Sequence, residues 1–372
     1  MTVTIMHKLL LSSSIFVFIC AKLFHSELND HPYSKRNSIY DYNPFNKDYY
    51  DYDEVFPRVV HVHILPNGTR VYDLLAVTDM DMNETTSTNW TWRAVARKGK
   101  LLISKNKKNI TIIWRKDSDK NLTTHLNYKG RAMELSDLSE LDGRLLSPDD
   151  KTGMLYEIKG DKAIPWLFLN SGSGRTTRGM KAEWTTLKGK HLYVGGHGTE
   201  CRDENGTVLN EDAMWIKIIS KHGEVISVNW KKIYKRLRKA ANITAPGYLT
   251  HEAVQWSEYH RGWFFLPRKE SRTIYVKTED EQKGSNLLII GNRNLKHFKT
   301  VRIGKLDHPE RGYTAFDFIP GTRDKIIVAV KSEEVEGKPP RSFITVFDIR
   351  GNVLLEDQEL IENYKFEGIY FV

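Results

Sequence analysis

Five short segments of this chain share one frame, and each opens on a candidate metal ligand: Ser136-Asp137-Leu138, Glu183-Trp184-Thr185, Glu252-Ala253-Val254, Ala315-Phe316-Asp317 and Glu367-Gly368-Ile369. Glutamate leads three of the five. Carboxylates brought together repel one another unless a cation sits among them, so the repeat points to a hard-metal site. Charged side chains flank these leads where a purely structural strand would avoid them. Arg131 and Glu134 precede Ser136, and Asp149 and Asp150 follow it in Ser147-Pro148-Asp149-Asp150. Arg268 closes Trp263-Phe264-Phe265-Leu266-Pro267-Arg268, Lys331 and Glu333 close Ile326 to Val330, and Asp79 and Asp81 sit in Val77-Thr78-Asp79-Met80-Asp81. Arginines beside a carboxylate-bound cation make a setting for a chain of phosphates, because guanidinium forks hold phosphate oxygens in pairs. The carboxylates there can orient or deprotonate a water. Taken singly, each piece also reads as ordinary structure: Asp149-Asp150 with Thr152-Gly153 is equally a hairpin turn. The weight lies in the repetition.

Elements must exist to bring these residues together. An apolar strand core follows the first two leads by nine residues (Leu145-Leu146, Leu192-Tyr193) and the next two by eleven (Trp263-Phe264, Ile326-Ile327). Successive leads lie 47, 69, 63 and 52 residues apart, longer than solenoid repeats and suited to propeller blades with loop insertions. Runs rich in β-branched and aromatic residues recur from Val59 to Ile64 onward, divided by turns such as Asp142-Gly143 and Arg350-Gly351. Only one stretch has a helical period: Trp230, Ile233, Tyr234, Leu237 and Ala241 alternate with Lys231, Lys232, Lys235, Arg236, Arg238 and Lys239. An amphipathic helix with its basic side in water explains that run. The fold class expected is all-β, a five-bladed β-propeller whose innermost strands carry the lead residues around a central metal site. Ring closure is expected to pair Phe366 to Val372 into a blade shared with the Val59 to Ile64 region.

The 372 residues carry a formal charge of +9, a moderate excess that suits small anions or acidic surfaces. No nucleic-acid motif accompanies the charge, and no P-loop, HExxH, GxSxG or paired CxxC occurs. Residues 1–26 read as a signal peptide, with Lys8 before the apolar run Leu9 to Ala21 and small residues for cleavage. The alternative is an uncleaved signal anchor, which would place the chain in an ER or Golgi lumen. With the signal cleaved, the chain is expected to be secreted and to keep no stable hold on a membrane. Seven Asn-X-Thr sequons (Asn67, Asn83, Asn89, Asn109, Asn121, Asn205 and Asn242) fit the same route and a glycoprotein. Residues 27–54, rich in Tyr and Asp, read as a flexible leader, which leaves 55–372 as the expected propeller domain. Of the two cysteines Cys20 leaves with the signal, so Cys201 has no partner within the chain and is open to bridging a homodimer.

Several motifs together resemble the soluble calcium-activated nucleotidase family of apyrases. They are Arg131-Ala-Met-Glu-Leu-Ser-Asp-Leu, Ser147-Pro-Asp-Asp-Lys-Thr-Gly, Lys181-Ala-Glu-Trp, Leu192-Tyr-Val-Gly-Gly, Pro246-Gly-Tyr-Leu-Thr-His-Glu, Trp263-Phe-Phe-Leu-Pro-Arg, Ile326-Ile-Val-Ala-Val-Lys-Ser-Glu-Glu and Phe366-Glu-Gly-Ile. The resemblance runs in order from about Ala76 to the C-terminus. It implies a five-bladed propeller with one axial Ca²⁺ and hydrolysis of nucleoside di- and triphosphates to the monophosphate. By motif position the implied calcium ligands are Ser136, Glu183, Glu252, Ala315 and Glu367. Arg131, Arg268 and Lys331 would bind substrate with Thr199, and Asp79, Asp81, Glu134 and Asp150 would surround the reacting phosphate. The family usually has Ser at Ala315, so a contact there falls to the backbone carbonyl. After Tyr-Val-Gly-Gly it usually reads Leu-Gly-Lys-Glu-Trp, where this chain has His197-Gly198-Thr199-Glu200-Cys201. A cation and an aromatic face are thereby lost. That loss keeps open a second class, a calcium-containing propeller that captures nucleotide or another anion with little turnover. A propeller lactonase or lectin-like module fits the architecture but leaves the arginines unexplained.

Overall fold

The structure is a computed structural model that describes residues 60–80, 85–86, 90–203, 206–361 and 363–372. The signal segment, the leader, Asp81 and the sequons at Asn83, Asn89 and Asn205 lie outside the described residues. The described chain is nearly all β, as the alternating and β-branched runs require, with strands joined mostly as antiparallel meanders.

The first sheet places Arg70–Asp79 between the chain's last strand, Lys365–Phe371, and Thr91–Ile103, which pairs in turn with Ile110–Thr124. The second runs Ser139–Leu141, Arg144–Pro148, Met154–Lys159 and Lys162–Phe168, and touches the first through Thr123 and Lys162. Trp184–Lys188, His191–Gly195, Trp215–Ile219 and Val225–Asn229 make the third. The fourth is Tyr248–Ser257, Gly262–Ser271, Leu287–Asn292 and Phe298–Arg302, and the fifth is Arg311–Phe318, Ile326–Glu333, Arg341–Asp348 and Val353–Leu360. The last strand therefore closes on Arg70–Asp79, from Leu74↔Phe371 to Asp79↔Lys365, and the short strand Val62–Ile64 lies against the other half of the same strand. Pairing the last strand with the start of the fold removes an open edge that would otherwise template association.

Apolar faces of successive sheets bury one another. Val77, Ala94 and Leu122 of the first sheet meet Tyr156 of the second, and Leu146 and Leu155 meet Leu192, Val194 and Ile219 of the third. Tyr193 and Trp263 touch edge to face between the third and fourth sheets. Phe264, Leu266 and Leu288 pack on Phe316, Ile327 and Phe347 of the fifth, whose Val328, Val330 and Ile344 return to Leu74, Leu101 and Ile369 of the first. The helix Lys231–Ala240 forms as its period predicts, with Ile233, Tyr234 and Leu237 buried. Arg238 departs from the expected solvated face: it is buried, and its guanidinium donates to both oxygens of Glu200 at 2.8 and 3.0 Å. The paired carboxylate offsets the desolvation of the cation. Among the described residues no helix is long and apolar enough to cross a membrane. The described sequon residues Asn67, Asn109, Asn121 and Asn242 are exposed.

Candidate active site and metal centre

Of the repeated leads, Ser136 and Glu183 precede the strands Ser139–Leu141 and Trp184–Lys188. Glu252 and Ala315 lie on the first strands of the fourth and fifth sheets and Glu367 on the chain's last strand, and each of these three strands is interrupted by an extra residue. Glu252 is the extra residue between the pairs His251↔Pro267 and Ala253↔Leu266, and Glu367 lies between Phe366↔Thr78 and Gly368↔Val77. A bulge of this kind turns one side chain out of the pleat and is common beside functional sites. In the fifth sheet the corresponding extra residue is Thr314, between Tyr313↔Lys331 and Ala315↔Val330. The sequence frame is therefore one residue out there. Ala315 corresponds to Ala253, and its methyl lies in the apolar cluster with Val328, Val330 and Ile369. Thr314 is buried, its hydroxyl 3.1 Å from the Phe366 carbonyl.

Glu183, Glu252 and Glu367 are each buried and each face a cation. Arg268 Nη1 lies 2.5 Å from Glu252 Oε2 and 3.2 Å from Glu367 Oε1, and its Nη2 donates to Glu334. His197 Nε2 stands 3.0 Å from Glu183 Oε1 and 2.8 Å from Glu252 Oε1. Lys181 Nζ is 2.6 Å from Glu183 Oε1 and pairs with Asp150 Oδ2. Lys365 Nζ touches Asp79 at 2.7 Å, Glu367 at 3.0 Å and Glu334 at 3.1 Å. On the other side Lys151 Nζ is 3.1 Å from Glu134 and 3.5 Å from Asp150, and Arg131 donates to Glu134. The result is one alternating network of charge drawn from all five sheets and the loops between them.

Burial and charge push these groups apart. Desolvation opposes ionisation of Asp150, but Lys181 and Lys151 hold its carboxyl below the usual carboxylate range. Burial raises Glu134 to about 8, against the Arg131 hydrogen bond and with the charges of Asp79 and Asp150 added. Burial also opposes the charged forms of Glu183 and His197; their mutual attraction outweighs it, so Glu183 falls well below its ordinary range and His197 rises to about 9. Burial, with Asp79 and Glu252 nearby, lifts Glu367 well above its usual range. Asp150 held below the carboxylate range and Glu134 raised above it are two neighbouring carboxyls of opposite tendency, an arrangement that suits acid–base chemistry.

The oxygen donors suit a hard divalent cation. Three carboxylates arrive from separate strands, Ser136 Oγ is buried without a hydrogen-bond partner, and so is Asp150 Oδ1. Above this floor opens a cleft of about 1370 Å³ lined by Asp79, Lys181, His197, Thr199, Glu252, Arg268 and Lys365, with Tyr248, Tyr275 and Tyr364 on its walls. Gly312 is required at its edge, because a Cβ there would lie 2.4 Å from Arg268 Cγ.

Most residues singled out in the sequence converge here: Asp79, Arg131, Glu134, Asp150, Glu183, Glu252, Arg268 and Glu367. Thr199 lines the cleft with its hydroxyl 3.1 Å from Glu200 Oε2, and Cys201 is exposed on the same wall. Lys331 is not brought in. Its ammonium is bound 2.8 Å from Asp357 and stacks 5.0 Å from the Tyr313 ring, while Glu334, three residues on, reaches the network instead. Asp81 lies outside the described residues. Lys151, Lys181, His197, Glu334 and Lys365 were not singled out as site residues. Two carried a legible signal: Lys181 and Lys365 each precede a lead glutamate by two residues, as Glu134 precedes Ser136, and the two lysines reach those glutamates at 2.6 and 3.0 Å.

The apyrase family model matches residues 80–372. The chain is 45% identical over 305 residues to "Apyrase apy-1" of Caenorhabditis elegans, covering 82% of this chain and 85% of that protein. It is 42% identical over 307 residues to "Soluble calcium-activated nucleotidase 1" of Rattus norvegicus, covering 82% and 75% of the two chains. To "Apyrase" of Cimex lectularius it is 40% identical over 282 residues, covering 76% and 77%. With its charged cleft built from the motifs of that family, this chain belongs to the apyrase family.

Proposed function

We propose that this chain is a calcium-dependent nucleotidase that hydrolyses nucleoside di- and triphosphates, such as ADP, ATP, UDP and GDP, to the monophosphate and phosphate. The observation that carries this reading is the cleft floor, where buried Glu183, Glu252 and Glu367 alternate with Lys181, Arg268 and Lys365. Family membership and the names of the relatives support it. The architecture is then a five-bladed propeller, a reading supported by the three four-stranded sheets that begin at Trp184, Tyr248 and Arg311 and by the apolar packing of successive sheets.

Ser136, Glu183, Glu252 and Glu367 would hold calcium, with Thr314 at the fifth register position and Ala315 limited to its carbonyl. When bound, calcium would neutralise phosphate oxygens and polarise the reacting phosphorus. Arg131, Lys151, Lys181 and Arg268 give donors for the remaining oxygens. Asp150, ionised at neutral pH, accepts a proton from the attacking water; a bond forms from that oxygen to the terminal phosphorus, the bridging P–O bond breaks, and the shortened nucleotide leaves with the bridging oxygen and its electron pair. Asp79 belongs to the acidic rim, and Asp81 is proposed with it on sequence position alone. The chain is assigned to the secretory route, on its apolar N-terminal run and on sequon residues that are exposed wherever they are described. An anchored lumenal form is the alternative.

A phosphate-release assay on ADP, ATP, UDP and GDP in calcium, magnesium or chelator tests the reading. Release in calcium alone is the expected result. Equal rates in magnesium after calcium is stripped would overturn the metal assignment. Nucleotide binding without release would favour the second class, a calcium-containing binding protein, the reading that Thr199 and Cys201 keep open.

A further inference from the structure

His197 stands where the family's usual segment has an aliphatic residue, and it reaches the carboxylates assigned above to calcium. Among the described residues, Glu183, His197 and Glu252 offer three ligand atoms within 4.8 Å of one another. His197 Nε2 is 3.0 Å from Glu183 Oε1 and 2.8 Å from Glu252 Oε1. Those separations match adjacent ligands of a small ion, since bonds of about 2.1 Å at right angles put donors roughly 3 Å apart. Glu183 Oε1 is itself buried and takes no aligned hydrogen bond, although His197 and Lys181 stand within ion-pair distance.

The loop holds the ring in place before any ion arrives. The His197 carbonyl accepts from the His251 amide at 2.9 Å, which ties it to the residue preceding Glu252, and the next amide, Gly198, donates to the Ala213 carbonyl at 3.0 Å. Gly198 has φ +70°, and a Cβ there would lie 2.1 Å from the Tyr234 ring, so this turn admits only glycine. A side chain positioned this way from a strand end and a packed turn loses little freedom on binding.

We propose that His197, giving up its Nε2 proton to solvent as the ion binds, is a nitrogen ligand in the Glu183–Glu252 site, giving this chain affinity for first-row divalent ions such as Mn²⁺, Co²⁺ and Zn²⁺ beside calcium. Imidazole suits these ions, whereas an all-oxygen set favours calcium and magnesium. The inference rests on the reading that Glu183 and Glu252 bind metal. It adds a donor and a second class of ion to that site.

The test uses the full chain freed of metal by chelator, its His197→Leu and His197→Asn variants, and two probes. Co²⁺ binding is followed by its visible absorption and by calorimetry, and Ca²⁺ binding by calorimetry alone. Both variants are expected to lose at least about tenfold in Co²⁺ affinity, with altered Co²⁺ bands, while Ca²⁺ affinity moves by less than about threefold. Unchanged Co²⁺ affinity and bands in both variants, with Ca²⁺ still bound, would overturn the ligand role and leave the proposed function standing. Co²⁺ binding that depends on His197 in a native chain indifferent to Ca²⁺ would support the ligand and overturn the calcium reading.

Discussion

Glu252 and Glu367 occupy the same structural position in two different strands: each is the extra residue of a β-bulge, and Arg268 Nη1 spans them at 2.5 and 3.2 Å. The bulge is what makes this convergence possible. In an unbroken strand the pleat would send alternate side chains into the intersheet packing, where Ala253, Leu266 and Ile369 lie.

Removing one of the converging carboxylates should weaken calcium binding strongly. Glu183→Gln keeps size and hydrogen bonding but deletes a charge, so calcium affinity by calorimetry should fall at least about tenfold. An unchanged affinity would place the ion elsewhere.

The register correction in the fifth sheet separates two neighbours. Thr314→Val removes the hydroxyl at the bulge and should lower calcium affinity. Ala315→Ser places a hydroxyl in the apolar cluster and should leave affinity alone while lowering stability by about 1–2 kcal/mol. Calcium titrations and thermal melts on both variants decide it; a gain in affinity from Ala315→Ser would restore the original frame.

Arg268→Ala should cost activity and stability together. Loss of a charge-assisted contact at the transferring phosphate typically lowers turnover about a hundredfold. Glu252 and Glu367 would also lose their common counter-ion, which for a buried pair amounts to about 3–5 kcal/mol. Full turnover in the variant would show that the phosphates lie elsewhere in the cleft. A melting temperature equal to the parent's would show that the carboxylates do not depend on this arginine.

Cys201 and Thr199 line the cleft wall, so Cys201→Trp with Thr199→Lys should supply the stacking face and cation missing there. Base–aromatic stacking is worth roughly 1–3 kcal/mol, which predicts a lower KM for at least one of ADP, UDP and GDP. Equal KM values across the three, before and after, would remove this wall from the base site.

Away from the site, Lys217 gives the fold a pH signature. Its ammonium is buried and donates to the Gly172 carbonyl at 2.8 Å and Ser227 Oγ at 2.7 Å, and burial brings its pKa down to about 8 from 10.5. The folded chain therefore releases this proton before the unfolded chain does, and stability from Lys217 rises with pH between about 8 and 10.5. Denaturant melts at pH 7 and 10 should show the parent gaining about 1–3 kcal/mol relative to Lys217→Met over that interval. An identical pH dependence in the two proteins would rule out the shift.

The all-β class, the strands of the repeat, the helix Lys231–Ala240 and most of the charged residues that converge on the cleft were legible in the chain itself. Side-chain period is a local property: alternation and 3.6-residue spacing follow from backbone geometry, and motif spacing repeats with the sheets. The lone out-of-frame lead, Ala315 for Thr314, arose because bulges shift register by one residue and only the partner strand reveals where. Lys331 and Glu334 show the same limit, since Lys331 lies within the strand Ile326–Glu333 and pairs with Asp357, while Glu334 just past the strand end reaches the cleft. Arg238 was assigned to water because helical period alone cannot see Glu200, which lies 38 residues away and reaches its guanidinium only in the folded chain. The pairing of Lys181 with Asp150 and of His197 with Glu252 joins segments of different sheets, and that of Lys365 with Asp79 joins the two ends of the fold across one sheet. Those contacts depend on sheet packing, and electrostatic character in the cleft follows from distance and burial that no linear pattern contains.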